Sequence, residues 1–103
     1  MRRGEIRWFR FTVPDKRRPV LVLTRDSALA YMGEVTVAPL TSSIRDIPTE
    51  VVLDEADGMA KPCAVNCDHL QTVAKGQIGA LITTLPPAKM RAVSQAIAFA
   101  LGM

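Results

Sequence analysis

The sequence predicts a mainly β, α+β fold: a curled antiparallel sheet or small SH3-like barrel of five to seven strands with a C-terminal helix. Three observations predict it. Short runs of β-branched and aromatic residues alternate with polar ones between Pro, Gly and Asp turn signals. Only the stretch after Pro86 changes to a helical period. At 103 residues and 49% hydrophobic content, the chain suits one domain (1–103) with one modest core, and it is too apolar for disorder.

The elements follow in order. Ile6, Trp8 and Phe9 to Phe11, with Arg7 and Arg10 between them, read as a strand with one wet face. Val13-Pro14-Asp15-Lys16 is a turn. Pro19 to Thr24 is nearly all apolar, a central strand with Pro at its start, where a missing N–H is tolerated. Asp26 to Met32 allows one or two helical turns before Gly33. Glu34 to Leu40 is a third strand, Thr41 to Ile47 a polar loop, and Pro48 to Asp54 a fourth strand. Asp57-Gly58 marks a turn. Cys63 to Val73 fits one long strand or two short ones with a kink. Lys75-Gly76 is a turn, and Ile78 to Leu85 is a last strand.

Pro86 and Pro87 suit a helix start, and Gly102 its end. Met90, Val93, Ile97 and Leu101 form one apolar stripe. Ala92, Ala96, Phe99 and Met103 form a weaker second one. Two stripes are more than one sheet covers, so either a dimer contact or alanines tolerated in water accounts for the second.

The net charge of +3 is unevenly placed. Residues 1–18 hold seven cations against two anions, or +5, and residues 44–57 hold one cation against five anions, or −4. A basic end suits a polyanion or an acidic protein, or is simply a solvated surface. No apolar run nears the roughly 20 residues that span a bilayer. Met1-Arg2-Arg3-Gly4-Glu5 is like the start of a signal peptide, but Glu5, Arg7 and Arg10 interrupt any apolar segment. No secretion signal is expected, and a cytoplasmic location is.

Cys63 and Cys67 are too few for a disulfide scaffold. In one extended strand, residues 63, 65, 67 and 69 would share a face, bringing His69 beside both thiols. One His and no second Cys pair leave a tetrahedral zinc site incomplete, so buried free thiols are the expected state. There is no Gly-rich phosphate loop, no G-x-S-x-G and no H-E-x-x-H. Trp8, Phe9 and Phe11 within the basic end suit base stacking beside phosphates, although core packing claims part of that set.

Five segments then stand out in order. Arg3-Gly4-Glu5-Ile6-Arg7-Trp8 is close to R-G-[ED]-[IV]-[WY]. Arg18 to Leu23 matches R-P-V-[LV]-V-[IL]. Val37 to Ser42 matches V-x-P-[IL]-T-[ST], and Ile47 to Val51 matches L-P-T-x-V. Cys67 to Thr72 matches C-[ED]-[QN]-[IL]-[RQ]-T. Together they cover nearly the whole chain, which resembles the MazF/PemK toxins, specifically the shorter mycobacterial-type members.

The resemblance implies a toxin of a type II toxin–antitoxin system: an endoribonuclease that cuts single-stranded RNA (mRNA, tRNA or rRNA) without metal or other cofactor. Its products would carry 2′,3′-cyclic phosphate and 5′-hydroxyl ends. It implies a homodimer, no membrane, and a cognate antitoxin whose flexible acidic tail fills the RNA grooves. The matching catalytic positions are Arg18 and Thr41. A guanidinium can donate two parallel hydrogen bonds to the phosphoryl oxygens as charge grows there, and a hydroxyl can add a third. Taken singly, Arg18 also suits a surface salt bridge and Thr41 a turn-capping hydroxyl. Lys16, Arg17, Ser42, Ser43, His69 and Gln71 are the expected substrate contacts. His69 is also the candidate general acid or base, where the family usually has Gln or Asn.

The chain departs from the pattern in two places. The loop between the first two strands is cut to Val13-Pro14-Asp15-Lys16-Arg17, where the family's acidic loop residue finds no clear counterpart, and Gln71 stands where Arg is usual. Both changes bear on which bases are read. A non-catalytic inhibitor like the gyrase-binding CcdB toxins, and a small RNA- or protein-binding barrel, are the competing functions. The chain lacks the terminal Trp that the CcdB reading needs.

Overall fold

The structure, a computed structural model, describes residues 1–10 and 17–103. The turn expected at Val13 to Lys16, the ring of Phe11 and the contact residue Lys16 lie outside those residues.

The strands are β1 (Glu5–Arg10), β2 (Arg17–Val22), β3 (Glu34–Thr41), β4 (Glu50–Leu53), β5 (Cys63–Asn66), β6 (Gln71–Ala74) and β7 (Ile78–Thr84). The helices are α1 (Asp26–Leu29) and α2 (Pro87–Leu101). All strand pairs are antiparallel, in the order β4-β5-β3-β2-β1-β7. The sheet is curled but open, so the barrel form of the expectation does not close. On one edge, β3 pairs with β2. On the other, its first half takes β6 (Val37↔Gln71) and its end takes β5 (Thr41↔Ala64). The Cys63–Val73 stretch is therefore two strands broken by a turn.

Other boundaries moved for identifiable reasons. Pro19 lies third in β2, not first, opposite Trp8 of β1 and just before β3 begins pairing at Val20. Thr41 closes β3 instead of opening the loop, because Ala64 pairs with it.

The expectation of a single core does not hold. The sheet buries a cluster on each face. Ile6, Leu21, Ala38, Leu40, Leu53, Val65 and Cys67 pack under Val93 and Ala96 of α2. Phe9, Val20, Val22, Val35, Val37 and Val73 pack with Leu29 of α1 on the other face. Curling lets a small sheet cover both sides. It also corrects the single wet face expected for β1, whose Ile6 and Phe9 belong to different clusters. On α2 the two sequence stripes merge. Met90, Val93 and Ile97 pack together with Ala92 and Ala96, while Phe99, Leu101 and Met103 stay exposed.

The basic N-terminal end is largely engaged by the framework. Glu5 Oε1 accepts hydrogen bonds from Arg2 N (2.7 Å) and Arg7 Nε (2.9 Å), and Arg7 Nη1 donates to Gly79 O (3.0 Å). Burial pulls the Glu5 carboxyl upward, but the Arg7 hydrogen bond, the Arg2 amide and the nearby charges outweigh it, so Glu5 sits below its ordinary value. A depressed carboxyl stabilises the fold above the ordinary carboxylate range and loses that contribution as pH falls through the lowered pKa. Glu5→Gln is therefore expected to show a smaller drop in Tm than the parent between about pH 6 and about pH 3, read by circular dichroism. An identical drop in both proteins would remove Glu5 from the acid response.

Candidate active site

Two hollows flank the exposed end of β2 and β3. The first, about 490 Å³, is lined by Trp8 of β1, Arg18 and Pro19 of β2, and Leu40 and Thr41 of β3. Its rim and far wall are Ser42, Ser43 and the segment Met59 to Pro62. The second, about 280 Å³, is lined by Phe9, Arg18, Val20, Pro39, Leu40, Thr41, Asn66, His69 and Gln71. Arg18 and Thr41 belong to both, so they stand on the ridge between the hollows. The sheet brings them together: Val20 pairs with Pro39, and two residues further out along each strand are the side chains in question.

Thr41 has the local role its residue type suggests, since its Oγ1 accepts the Ser43 N–H at 3.0 Å. A hydroxyl accepting one bond still has its own O–H to donate. Ser42 and Ser43 line the first hollow, and His69 and Gln71 the second. Arg17 lines neither. Its guanidinium sits 4.3 Å from the centre of the Trp8 ring, covering a residue of the first hollow.

Sequence reasoning missed three parts of the site. Lys61 stands in the far wall of the first hollow, brought there by the chain after Gly58. Asn66 lines the second hollow. Arg45, read only as one cation in an acidic run, joins three residues. It pairs with Glu50 (Nε–Oε2 2.5 Å), and its backbone N–H donates to Glu50 Oε1 (2.9 Å). Its Nη2 donates to Asn66 Oδ1 (3.2 Å) and Asp68 Oδ1 (3.1 Å). These contacts span residues distant in sequence, which local pattern does not show. The acidic run is in part internally engaged: Asp57 also faces Lys89 Nζ at 3.6 Å.

The thiols and His69 do not converge. Cys63 and Cys67 are buried, whereas His69 is 61% exposed on the turn after β5. Burial, then the Asp68 and Glu50 carboxylates, pushes the Cys67 thiol up to about 11. Burial, then Asp57, also raises Cys63. Both remain thiols at neutral pH and are poor nucleophiles.

Cations beside an aromatic and apolar floor, edged by hydroxyls, suit a protein that binds a polyanion with planar groups. Comparisons with known proteins agree with this class. The model of the PemK-like, MazF-like toxin of type II toxin-antitoxin systems matches residues 2–101. Endoribonuclease MazF3 of Mycobacterium tuberculosis is 41% identical over 86 residues, which cover 80% of this chain and 84% of that protein. The structure described as Mycobacterium tuberculosis toxin MazF-mt6 is 35% identical, with a TM-score of 0.87 over 96% of this chain and 97% of that one. A mycobacterial endoribonuclease in complex with its cognate antitoxin gives a TM-score of 0.88 at 26% identity, over 100% of this chain and 96% of that one. The chain belongs to the PemK-like, MazF-like toxin family of type II toxin–antitoxin systems.

Proposed function

We propose that this chain is the toxin of such a pair: a metal-independent endoribonuclease that cuts single-stranded RNA, inhibits translation and growth in the cytoplasm, works as a homodimer, and is neutralised by a cognate antitoxin. The observation that carries the reading is the position of Arg18 and Thr41 on the ridge shared by two hollows. A scissile phosphate on that ridge would leave the nucleotides on either side of it one hollow each.

In the proposed reaction the 2′-oxygen attacks the adjacent phosphorus and the bond to the 5′-oxygen breaks. The products are a 2′,3′-cyclic phosphate and a 5′-hydroxyl. Arg18 donates to the phosphoryl oxygens, where negative charge grows, and the Thr41 O–H adds a further donor. Ser42, Ser43, Arg17, His69 and Gln71, with Lys16, contact the flanking nucleotides. Support comes from the family match and from relatives named endoribonucleases. One structural neighbour is in complex with its cognate antitoxin.

The test uses purified protein, a mixed RNA pool and excess EDTA, with product ends mapped. Discrete cuts bearing cyclic-phosphate and 5′-hydroxyl ends are expected. RNA left intact with and without added divalent cations would overturn the enzyme reading.

A further inference from the structure

We propose that His69, positioned by Asp68 and through it by Arg45, donates the proton taken up by the leaving 5′-oxygen; this rests on the RNA-cleaving reading above. His69 shares the second hollow with Arg18 and Thr41. It sits on a turn fixed from several sides. The buried Cys67 gives its N–H to Thr49 O at 2.9 Å, and the His69 N–H reaches Asn66 O at 3.3 Å. Arg45 ties this turn to the loop that carries Ser42 and Ser43, binding Asn66 and Asp68 with one nitrogen and Glu50 with another.

Asp68 uses its two oxygens differently. Oδ1 accepts from Arg45, and Oδ2 faces His69 Nε2 at 3.9 Å. That is ion-pair range, about 1 Å longer than a hydrogen bond, as is common in a catalytic site without substrate. A carboxylate partner on Nε2 orients the ring and leaves Nδ1 as the nitrogen available to substrate. Around His69 stand Asp68 on the same turn, Arg45 on the loop after β3, Glu50 of β4 behind Arg45, and Arg18 of β2 in the same hollow. Burial pulls the Asp68 carboxyl up, but the Arg45 hydrogen bond and the charges of Arg45 and His69 outweigh it, so Asp68 stays ionised below its ordinary range.

The O2′–P bond forms as the 2′-hydroxyl proton passes to water. The P–O5′ bond breaks with its electron pair on O5′, which takes the proton from His69 Nδ1. Nε2–H remains directed at Asp68, and solvent reprotonates Nδ1. A guanidinium holds its protons tightly, so Arg18 acts on the phosphoryl oxygens instead.

The test compares ordinary RNA with RNA carrying a bridging sulfur at the scissile 5′ position, in single turnover. A thiol is roughly seven pKa units more acidic than water, so a thiolate leaves without a proton. His69→Ala is expected to cut ordinary RNA about a hundredfold slower than the parent, and the sulfur substrate within about threefold of it. Arg18→Ala is expected to be slow on both. Asp68→Asn is expected to be about tenfold slower on ordinary RNA and within about threefold of the parent on the sulfur substrate. Equal losses on both substrates for His69→Ala or for Asp68→Asn would overturn the proposal while the parent still cuts RNA. A parent that cuts neither substrate would overturn the RNA-cleaving reading itself.

Discussion

Arg18→Ala is expected to lower the single-turnover rate of RNA cleavage by roughly two to three orders of magnitude and to leave Tm nearly unchanged. The activity loss follows from the ridge position, since Arg18 is the guanidinium common to both hollows. A fixed cationic fork costs no reorganisation when charge grows on the phosphoryl oxygens. The small stability effect follows from exposure: Arg18 is the second residue of β2, on its solvent-exposed end, and neither buried cluster contains it. Arg18→Lys restores the charge without the two parallel donors, and most of the loss should persist. A variant that unfolds would count as a structural role, and one that cuts normally would remove Arg18 from the site.

Gly58→Val is expected to destabilise the fold by about 3 kcal/mol, lowering Tm by roughly 12 °C or more. Two effects combine. Gly58 has φ +91, a left-handed conformation that a β-branched residue adopts only with strain. A Cβ there would also meet Thr83, whose own Cβ would lie 2.8 Å away, so a side-chain rotation does not relieve the clash. Thr83 also donates to Asp57 O at 3.1 Å, which ties β7 to this turn. The turn in turn launches Met59 to Pro62, the far wall of the first hollow, so cleavage should weaken alongside stability. Thermal unfolding of Gly58→Ala and Gly58→Val checks this, with Ala the milder of the two. Parent-like Tm values for both would show that the turn tolerates a side chain.

These two positions differ in how far the sequence exposed them. Arg18 sits just before the nearly all-apolar run Pro19 to Thr24, in a motif, R-P-V-L-V-L, that the family resemblance singles out. Asp57-Gly58 reads as a turn from residue types alone, and the structure has Gly58 capping a short 3-10 helix at Glu55–Asp57. The contact with Thr83 is not legible, because it joins segments distant in sequence. The same divide runs through the fold. Strand runs and the start and end of α2 follow from local period, and the merging of its two stripes into one packed face depends on how the sheet curls beneath it. At the site, Arg18, Thr41, Ser42 and His69 carry local signals. Lys61 and Arg45 do not, since the first gains its place from a turn and the second from partners in β4, β5 and the following turn. The basic N-terminal end reads as one charged stretch in sequence. In the structure Arg2, Arg3 and Arg7 bind the framework and Arg18 faces the hollows.

The central claim is that RNA is cut on the Arg18–Thr41 ridge by attack of its own 2′-hydroxyl. The most direct measurement pairs an all-ribose oligonucleotide containing a mapped cut with the same strand lacking only the 2′-hydroxyl next to the scissile phosphate. The first is expected to be cut, and the second to bind with similar affinity and stay intact. Cleavage of the deoxy-substituted strand at the same bond would contradict the claim.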